Sequence, residues 1–172
     1  CKLHAVRFKM VKLYKNFNIN KNHKGSIILI GNFDGVHLGH QKLFKLAQSY
    51  KKKYSLRIGV INFDPMPKMF FNQSLKNFRL SSIDQKIDLL DNLGVDFIAT
   101  KKFDRTFSKT KSINFIKNIL SNKLKAKFIF VSNNFRFGNK REGNVKFLIE
   151  NEKKYNYQVV KPKPLLINKK IL

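Results

Sequence analysis

Three observations predict an α/β domain built on a parallel sheet with helices on both of its faces. Short apolar runs alternate with stretches of helical periodicity along most of the chain, the order expected of repeated strand–helix–strand units. The runs at 27–30, 56–63 and 128–131 are continuous or nearly so, as strands buried on both faces are. A turn rich in glycine and histidine joins the first of these runs to a helix, and open α/β sheets bind ligands at such strand ends.

Taken in order, residues 1–9 carry no motif or clear periodicity, and they are expected to be a dispensable or non-native extension ahead of a domain at 10–172. Residues 11–14 read as a short first strand, and the Asn- and Lys-rich stretch to Gly25 as a loop. A strand at 26–30 leads into Gly31-Asn32-Phe33-Asp34-Gly35-Val36-His37-Leu38-Gly39-His40. Leu43, Phe44, Leu46, Ala47 and Tyr50 then mark one face of a helix that ends near Lys53. The strand at 56–63 ends at Asp64-Pro65-Met66-Pro67, where the prolines stop it. Residues 68–80 read as an irregular loop or flap over the cleft, where Phe70, Phe71 or Phe78 stack on an aromatic ligand if exposed, although satellite core is the favoured reading.

Ser82-Ile83-Asp84-Gln85 has the form of a capping box. Its helix is expected to carry Ile83, Ile87 and Leu90 inward and to close at Gly94. A strand at 95–100 and a loop at 103–110 follow. Ser112 is read as the cap of a helix that buries Ile113, Ile116 and Leu120, ahead of a strand at 128–131. The loop at 132–141 combines amides, two aromatics, a glycine and a basic cluster. Asn144 caps a helix to about Lys153, and a last strand at 157–160 is ended by Pro162 and Pro164. No internal repeat and no second domain are visible.

The 172 residues suit one domain. A single cysteine, Cys1, excludes an internal disulfide framework and suits a reducing compartment. The longest apolar runs fall far short of the ~20 residues of a membrane helix, and no apolar segment of a secretory signal is present. A cytoplasmic location with no membrane partner is expected. The formal charge of +26 points by itself to nucleic acid. The lysines are scattered through every expected element, however, and Lys, Asn, Ile and Phe all have A/T-rich codons. That pattern favours a genome-composition bias over a specific nucleic-acid partner, while the charge still attracts phosphate-bearing ligands.

The chemistry concentrates at 31–40. Gly31, Gly35 and Gly39 let the backbone approach a ligand closely. The N–H groups and dipole of the following helix favour an anion. If that helix begins near Leu38, His37 and His40 fall on one side of it. Together these features describe a phosphate cradle under two imidazoles. Two plainer readings stand beside it: a tight turn with a capping histidine, or the beginning of a zinc site at Asp34, His37 and His40, which needs ligands beyond His4 and His23 in the unpatterned N-terminal region. Asn62 and Asp64 lie at the neighbouring strand end, where they face the same cleft or simply shape a Pro-rich turn. In the 132–141 loop the rings suit stacking and Arg136 suits a phosphate, or the whole is an anchored surface loop.

The segment at 31–40 resembles the G-x-F-D-G-x-H-x-G-H signature of the adenylyltransferase domain of bacterial FAD synthetases, the bifunctional riboflavin kinase/FMN adenylyltransferases. Further similarity lies at Asn62-Phe63-Asp64-Pro65-Met66-Pro67, at Arg79-Leu80-Ser81-Ser82 and at Asn134-Phe135-Arg136-Phe137-Gly138, in the family's order. The resemblance implies a Rossmann-like nucleotidyltransferase domain that transfers adenylyl from ATP to FMN, giving FAD and pyrophosphate. It implies catalytic roles for His37 and His40, and ATP binding by Gly31, Asn32, Phe33, Asp34, Gly35 and Gly39. Flavin binding would fall to Asn62, Phe63, Asp64, Pro65, Asn134, Phe135, Arg136, Phe137 and Gly138. ATP and FMN are the implied substrates, with Mg²⁺ whose protein ligands are unassigned. Met66, Ser132 and Asn134 depart from the family's usual His, Gly and Asp. The riboflavin kinase half is expected to be absent, and the domain to stop before a Ser/Thr-rich motif ending in Ile-Arg. The alternatives are an H-x-G-H nucleotidyltransferase with another phosphate acceptor, or a basic RNA-binding domain.

Overall fold

The computed structural model describes residues 11–35, 38–75, 82–163, 166–167 and 170–171. Strands β1 (Lys12–Tyr14) and β2 (Ile27–Ile30) are followed by helix α1 (Leu38–Tyr54) and by β3 (Ile58–Asp64). Helices α2 (Pro67–Phe71) and α3 (Ile83–Asn92) precede β4 (Phe97–Lys102). A short α4 (Arg105–Ser108) leads to α5 (Ser112–Asn114), which continues as a π-helix (Phe115–Lys123) into β5 (Phe128–Phe130). A hairpin of β6 (Arg136–Phe137) and β7 (Gly143–Asn144), helices α6 (Val145–Glu150) and α7 (Glu152–Tyr155), and β8 (Gln158–Val160) follow. A small antiparallel pair, β9 (Leu166–Ile167) and β10 (Lys170–Ile171), comes last.

Six strands form one parallel sheet in the order β1-β4-β3-β2-β5-β8. The chain steps from β2 to β3 to β4 in one direction, then returns across β2 to lay down β5 and β8. Right-handed crossovers therefore put α1 and α3 on one face, and the α5/π-helix and α6 on the other. The side chains divide accordingly. Ile27, Leu29, Ile58 and Val60 pack with Leu43 and Phe44 of α1 and Leu90 of α3. Ile28, Ile30 and Ile61 pack with Ile116, Leu120 and Leu148. Covered on both sides, the central strands have no solvent face, which is why all four residues of β2 are apolar and buried.

Several local expectations are corrected. Ile83 is 57% exposed; α3 meets the sheet through Leu90 in its last turns, with Ile87 half-buried. Ser112 is not a cap but the first residue of α5: its N–H and hydroxyl both donate to Glu142 Oε1, at 2.8 and 3.2 Å. Residues 103–110 are not simply a loop, since the Asp104 carboxylate accepts the Phe107 N–H at 2.7 Å and caps α4. The stretch after Pro65 begins as helix α2, with proline at its first position. Residues 1–10, with His4, and residues 76–81, with Phe78 and the motif residues Arg79, Leu80 and Ser81, lie outside the described residues.

The N-terminal loop is more ordered than its composition suggests. It buries Phe17 and Ile19, and His23 is only 7% exposed. The His23 ring stacks on Phe97 at 4.6 Å. The Tyr14 hydroxyl accepts the Asn20 N–H at 3.1 Å and donates to His23 Nδ1 at 2.7 Å, which suits a neutral ring protonated on Nε2. Burial, reinforced by the charge of Arg57, pushes the His23 pKa below its ordinary value.

Candidate active site

The glycine–histidine turn leaves β2 at the point where strand order reverses. The Gly31 N–H donates to Ile61 O at 3.0 Å, extending the β2–β3 ladder by one residue. Asn32 Oδ1 then accepts the Phe63 N–H at 3.1 Å, tying the turn to the end of β3. The chain reverses through Phe33 and Gly35, with φ of 50° and 60°. Glycine takes that conformation readily, whereas Phe33 bears a strain of roughly 1–3 kcal/mol. Burial offsets it: the Phe33 ring is 5% exposed and lies edge-on to His40 and Phe44, each at 5.1 Å. A side chain on Gly31 would come within 3.1 Å of that ring. The ring of Phe33 is thus the buried floor of the turn.

Helix α1 starts at Leu38, where the spacing argument needs it, so the N–H groups of its first turn belong to the cradle residues themselves. His40 is half-buried against Phe33, and Asp34 is half-exposed. Val36 and His37 lie outside the described residues.

Strand alternation divides the residues expected to bind flavin. Asn62 and Asp64 share the side of Ile58 and Val60, toward α1; Phe63 shares the side of Ile61, toward the π-helix. Asn62 is 6% exposed, and its Oδ1 has no hydrogen-bond donor among the described residues. A buried carbonyl oxygen in that condition is an acceptor waiting for a partner.

On the Phe63 side, a cleft of about 800 Å³ opens at the carboxyl ends of the strands, within the ~300–1,000 Å³ of small-molecule sites. Its walls are rings from separate segments: Phe63, Phe71 of α2, Phe103 and Phe107 flanking or within α4, and Phe135. Phe63 lies 5.9 Å from Phe103 and 5.6 Å from Phe107, and Phe71 lies 5.9 Å from Phe103. Arg136, Lys140 and Arg141, with Lys68 of α2 on another segment, supply the basic part of the rim, and Ser108 and Thr110 supply hydroxyls.

The basic rim is held from below. Phe135 stacks on Phe137 at 5.4 Å, and Phe137, 8% exposed, packs against Phe115 at 5.6 Å. Arg136 Nε donates to Arg141 O at 3.2 Å. Lys140 and Arg141 have φ of 52° and 56°, two left-handed residues in succession.

Phe63, Phe135, Arg136, Phe137 and Gly138 therefore meet in one cleft. Four other assigned residues do not line it. Asn62 and Asp64 point to the opposite face, and Pro65 borders a neighbouring cavity of about 840 Å³. Asn134 is exposed, its Oδ1 accepting the Ser132 hydroxyl at 2.9 Å. Sequence reasoning missed Phe103, Phe107, Ser108 and Thr110. The spacing of Phe103 and Phe107 around a capping Asp104 was the available signal. The assignment of Phe71 to core is also corrected: it is 66% exposed on the cleft wall.

A doubly covered parallel sheet, with a glycine-rich turn feeding a helix N-terminus at the strand-order reversal, defines an α/β domain of the nucleotidyltransferase type. The same fold recurs in a solved structure described as a macrolide-efflux protein from Streptococcus pneumoniae. The TM-score is 0.78 at 22% identity, over 94% of this chain and 52% of that one. A model of FAD synthetase matches residues 19–172, and the chain belongs to the FAD synthetase family. It is 42% identical over 154 residues to a bifunctional riboflavin kinase/FMN adenylyltransferase of Buchnera aphidicola subsp. Schizaphis graminum, covering 90% of this chain and 49% of that protein. Its likeness to the protein of the same description in Escherichia coli K12 is 35% over 136 residues, covering 79% and 44%. The chain thus spans about half the length of the curated relatives it matches. Among the described residues no helix is long and apolar enough to cross a membrane.

Proposed function

We propose that this domain transfers the adenylyl group of ATP to the phosphate of FMN, yielding FAD and pyrophosphate. One observation carries the reading: an aromatic cleft with a basic rim opens at the same end of the sheet as the glycine–histidine cradle. A planar tricyclic ring suits walls of phenylalanine, its phosphate suits Arg136 and Lys140, and a triphosphate suits helix N–H groups.

In this reading a phosphate oxygen of FMN attacks the α-phosphorus of ATP, and the bond to the leaving pyrophosphate breaks. The second pKa of a phosphate monoester is about 6, so the nucleophile is already ionised near neutrality and no strong base is required. The task that remains is alignment of two anions and stabilisation of charge on the leaving group. Gly31, Asn32, Asp34, Gly35 and Gly39 would hold the triphosphate, with His37 and His40 donating to oxygens that gain charge. Asn62 Oδ1 offers an acceptor to a substrate hydroxyl or amino group on the cradle side.

Mg²⁺ needs only one or two protein carboxylates when substrate phosphates complete its shell. Asp34, on the cradle itself, would supply one, and the ion would contribute neutralisation of the polyphosphate charge. That donor set is consistent with the absence, among the described residues, of any cluster of three or more His, Cys, Asp or Glu suited to a metal. The riboflavin kinase activity in the relatives' names would supply FMN, and a cytoplasmic location belongs to the same proposal.

The test is to incubate the protein with ATP, Mg²⁺ and FMN, and to separate flavins chromatographically while measuring pyrophosphate. Equal, FMN-dependent formation of FAD and pyrophosphate is expected. Pyrophosphate release that ignores FMN and follows another phosphate acceptor would overturn the assignment.

A further inference from the structure

Three of the four basic residues that line the cleft, Arg136, Lys140 and Arg141, lie on or beside a strained loop, and one carboxylate outside the cleft fastens that loop to the opposite wall. Glu142 Oε1 accepts both the backbone N–H and the hydroxyl of Ser112, at 2.8 and 3.2 Å, across thirty residues of chain. Ser112 is 7% exposed and opens α5, so its N–H is one of the donors that a helix leaves without an internal partner. Two further contacts join the same segments. The Asn139 N–H donates to Thr110 O at 2.8 Å. Gly138, at φ 80°, lies so near that a β-carbon on it would be 2.8 Å from Ser112 N and Cα. Between these anchors Lys140 and Arg141 adopt left-handed backbone, and that turn presents Arg141 O to Arg136 Nε. An L-residue leaves such a conformation readily unless its surroundings hold it.

We infer that Glu142 is a positioning residue: it clamps the 138–142 loop to the start of α5 and so holds Arg136, Lys140 and Arg141 where they distinguish a phosphorylated flavin from an unphosphorylated one. The inference rests on the proposal that the cleft takes FMN. Most of the aromatic wall does not pass through the clamp, because Phe63, Phe71, Phe103 and Phe107 are carried by other segments, and Phe135, which adjoins Arg136, is held by its own stacking on Phe137. Affinity for the ring and affinity for the phosphate are therefore separable. Loss of the clamp releases the strained turn and costs the second while sparing the first.

The experiment compares FMN with riboflavin, each titrated by flavin fluorescence against the 172-residue chain and its variants, with thermal melts alongside. The wild type is expected to prefer FMN. Glu142→Ala is expected to lower FMN affinity by about tenfold or more, the worth of one hydrogen bond to a charged group. Riboflavin affinity and affinity for a non-hydrolysable ATP analogue should each change by no more than about twofold, since a lost hydrogen bond acts only where it is made. Glu142→Gln keeps an oxygen able to accept both Ser112 donors and should retain most of the preference. Ser112→Ala removes one of the two contacts and should give an intermediate loss, which keeps the test decisive if Glu142→Ala does not fold. A variant that melts earlier yet keeps the full FMN-over-riboflavin ratio would reduce Glu142 to a helix cap and overturn the inference. A wild type that binds both flavins equally would also overturn it while leaving the flavin reading intact. A wild type that binds neither would overturn the functional reading and the inference with it.

Discussion

Gly59→Ala tests the packing on which the functional end of β3 depends. Gly59 lies in the middle of β3, opposite Phe97 in the register with β4, among residues buried on both faces. A β-carbon there would fall 2.1 Å from Phe97 Cζ and 2.4 and 2.6 Å from its ε-carbons, so the ring stands directly on the glycine. Unbonded carbons rest about 3.5–4.0 Å apart, so relief needs a shift of roughly 1.5 Å. Phe97 has nowhere to go: it is fully buried, with His23 stacked at 4.6 Å and Tyr14 edge-on at 5.9 Å. Overpacking a tight core costs typically about 1–3 kcal/mol and occasionally more. Rigid neighbours on both sides of the ring place this site at the upper end, near ~3 kcal/mol. For a domain of this size that corresponds to a fall in Tm of roughly 6–12 °C. Phe97→Leu alone should also destabilise, by leaving a cavity. In the Gly59→Ala background, however, it removes the clashing ring edge, so the double variant should be more stable than the sum of the two losses by about 1 kcal/mol or more. Calorimetric or circular-dichroism melts of the four proteins give the cycle. A Gly59→Ala protein that melts within about 2 °C of wild type, a difference worth no more than ~1 kcal/mol, or a cycle that is strictly additive, would refute the reasoning.

Three further outcomes are expected. His23 is held neutral in the folded state with a lowered pKa, so the unfolded chain binds the proton first as pH falls through about 6.5. Stability should then decline from neutral pH downward until the folded pKa is reached. His23→Gln should flatten that slope in urea titrations between pH 7.5 and 5, and an unchanged slope would assign it to other groups. His40→Ala should lower kcat by roughly 10²–10³-fold, as the loss of one preorganised donor does. A change confined to the KM for ATP would assign His40 to ground-state binding. Phe71 is mostly exposed on the cleft wall, so Phe71→Ala should shift Tm by less than about 2 °C yet raise the KM for FMN several-fold, from a stacking contact worth ~0.5–1.5 kcal/mol. An unchanged KM would remove that ring from the site.

What the sequence determined by itself was whatever near neighbours decide. The Ser82/Gln85 capping box forms both of its reciprocal hydrogen bonds, at 2.9 and 3.2 Å. Asn144 accepts the Phe147 N–H at 2.8 Å, Gly94 turns at φ 83°, and α1 opens at Leu38 within the glycine–histidine turn. Each is settled within a few residues, where side-chain chemistry and backbone geometry act directly. Strand order was half legible, because continuous apolar runs mark buried strands but do not say on which side of β2 the next one lands. The cleft was legible only in fragments. Phe63 and Phe135 were singled out, but Phe71, Phe103 and Phe107 were read as core or loop, since an exposed ring and a buried one look alike in sequence. Asn62 and Phe63 are adjacent in the chain, yet the pleat of β3 sends them to opposite faces, so that only the crossover of α1 decides which neighbours each one meets. Ser112 had the composition of a cap and became a donor to Glu142, and Gly59, one residue within an apolar run, became the seat of Phe97. Those roles depend on contacts between segments distant in the chain, and such contacts exist only once the sheet has been assembled.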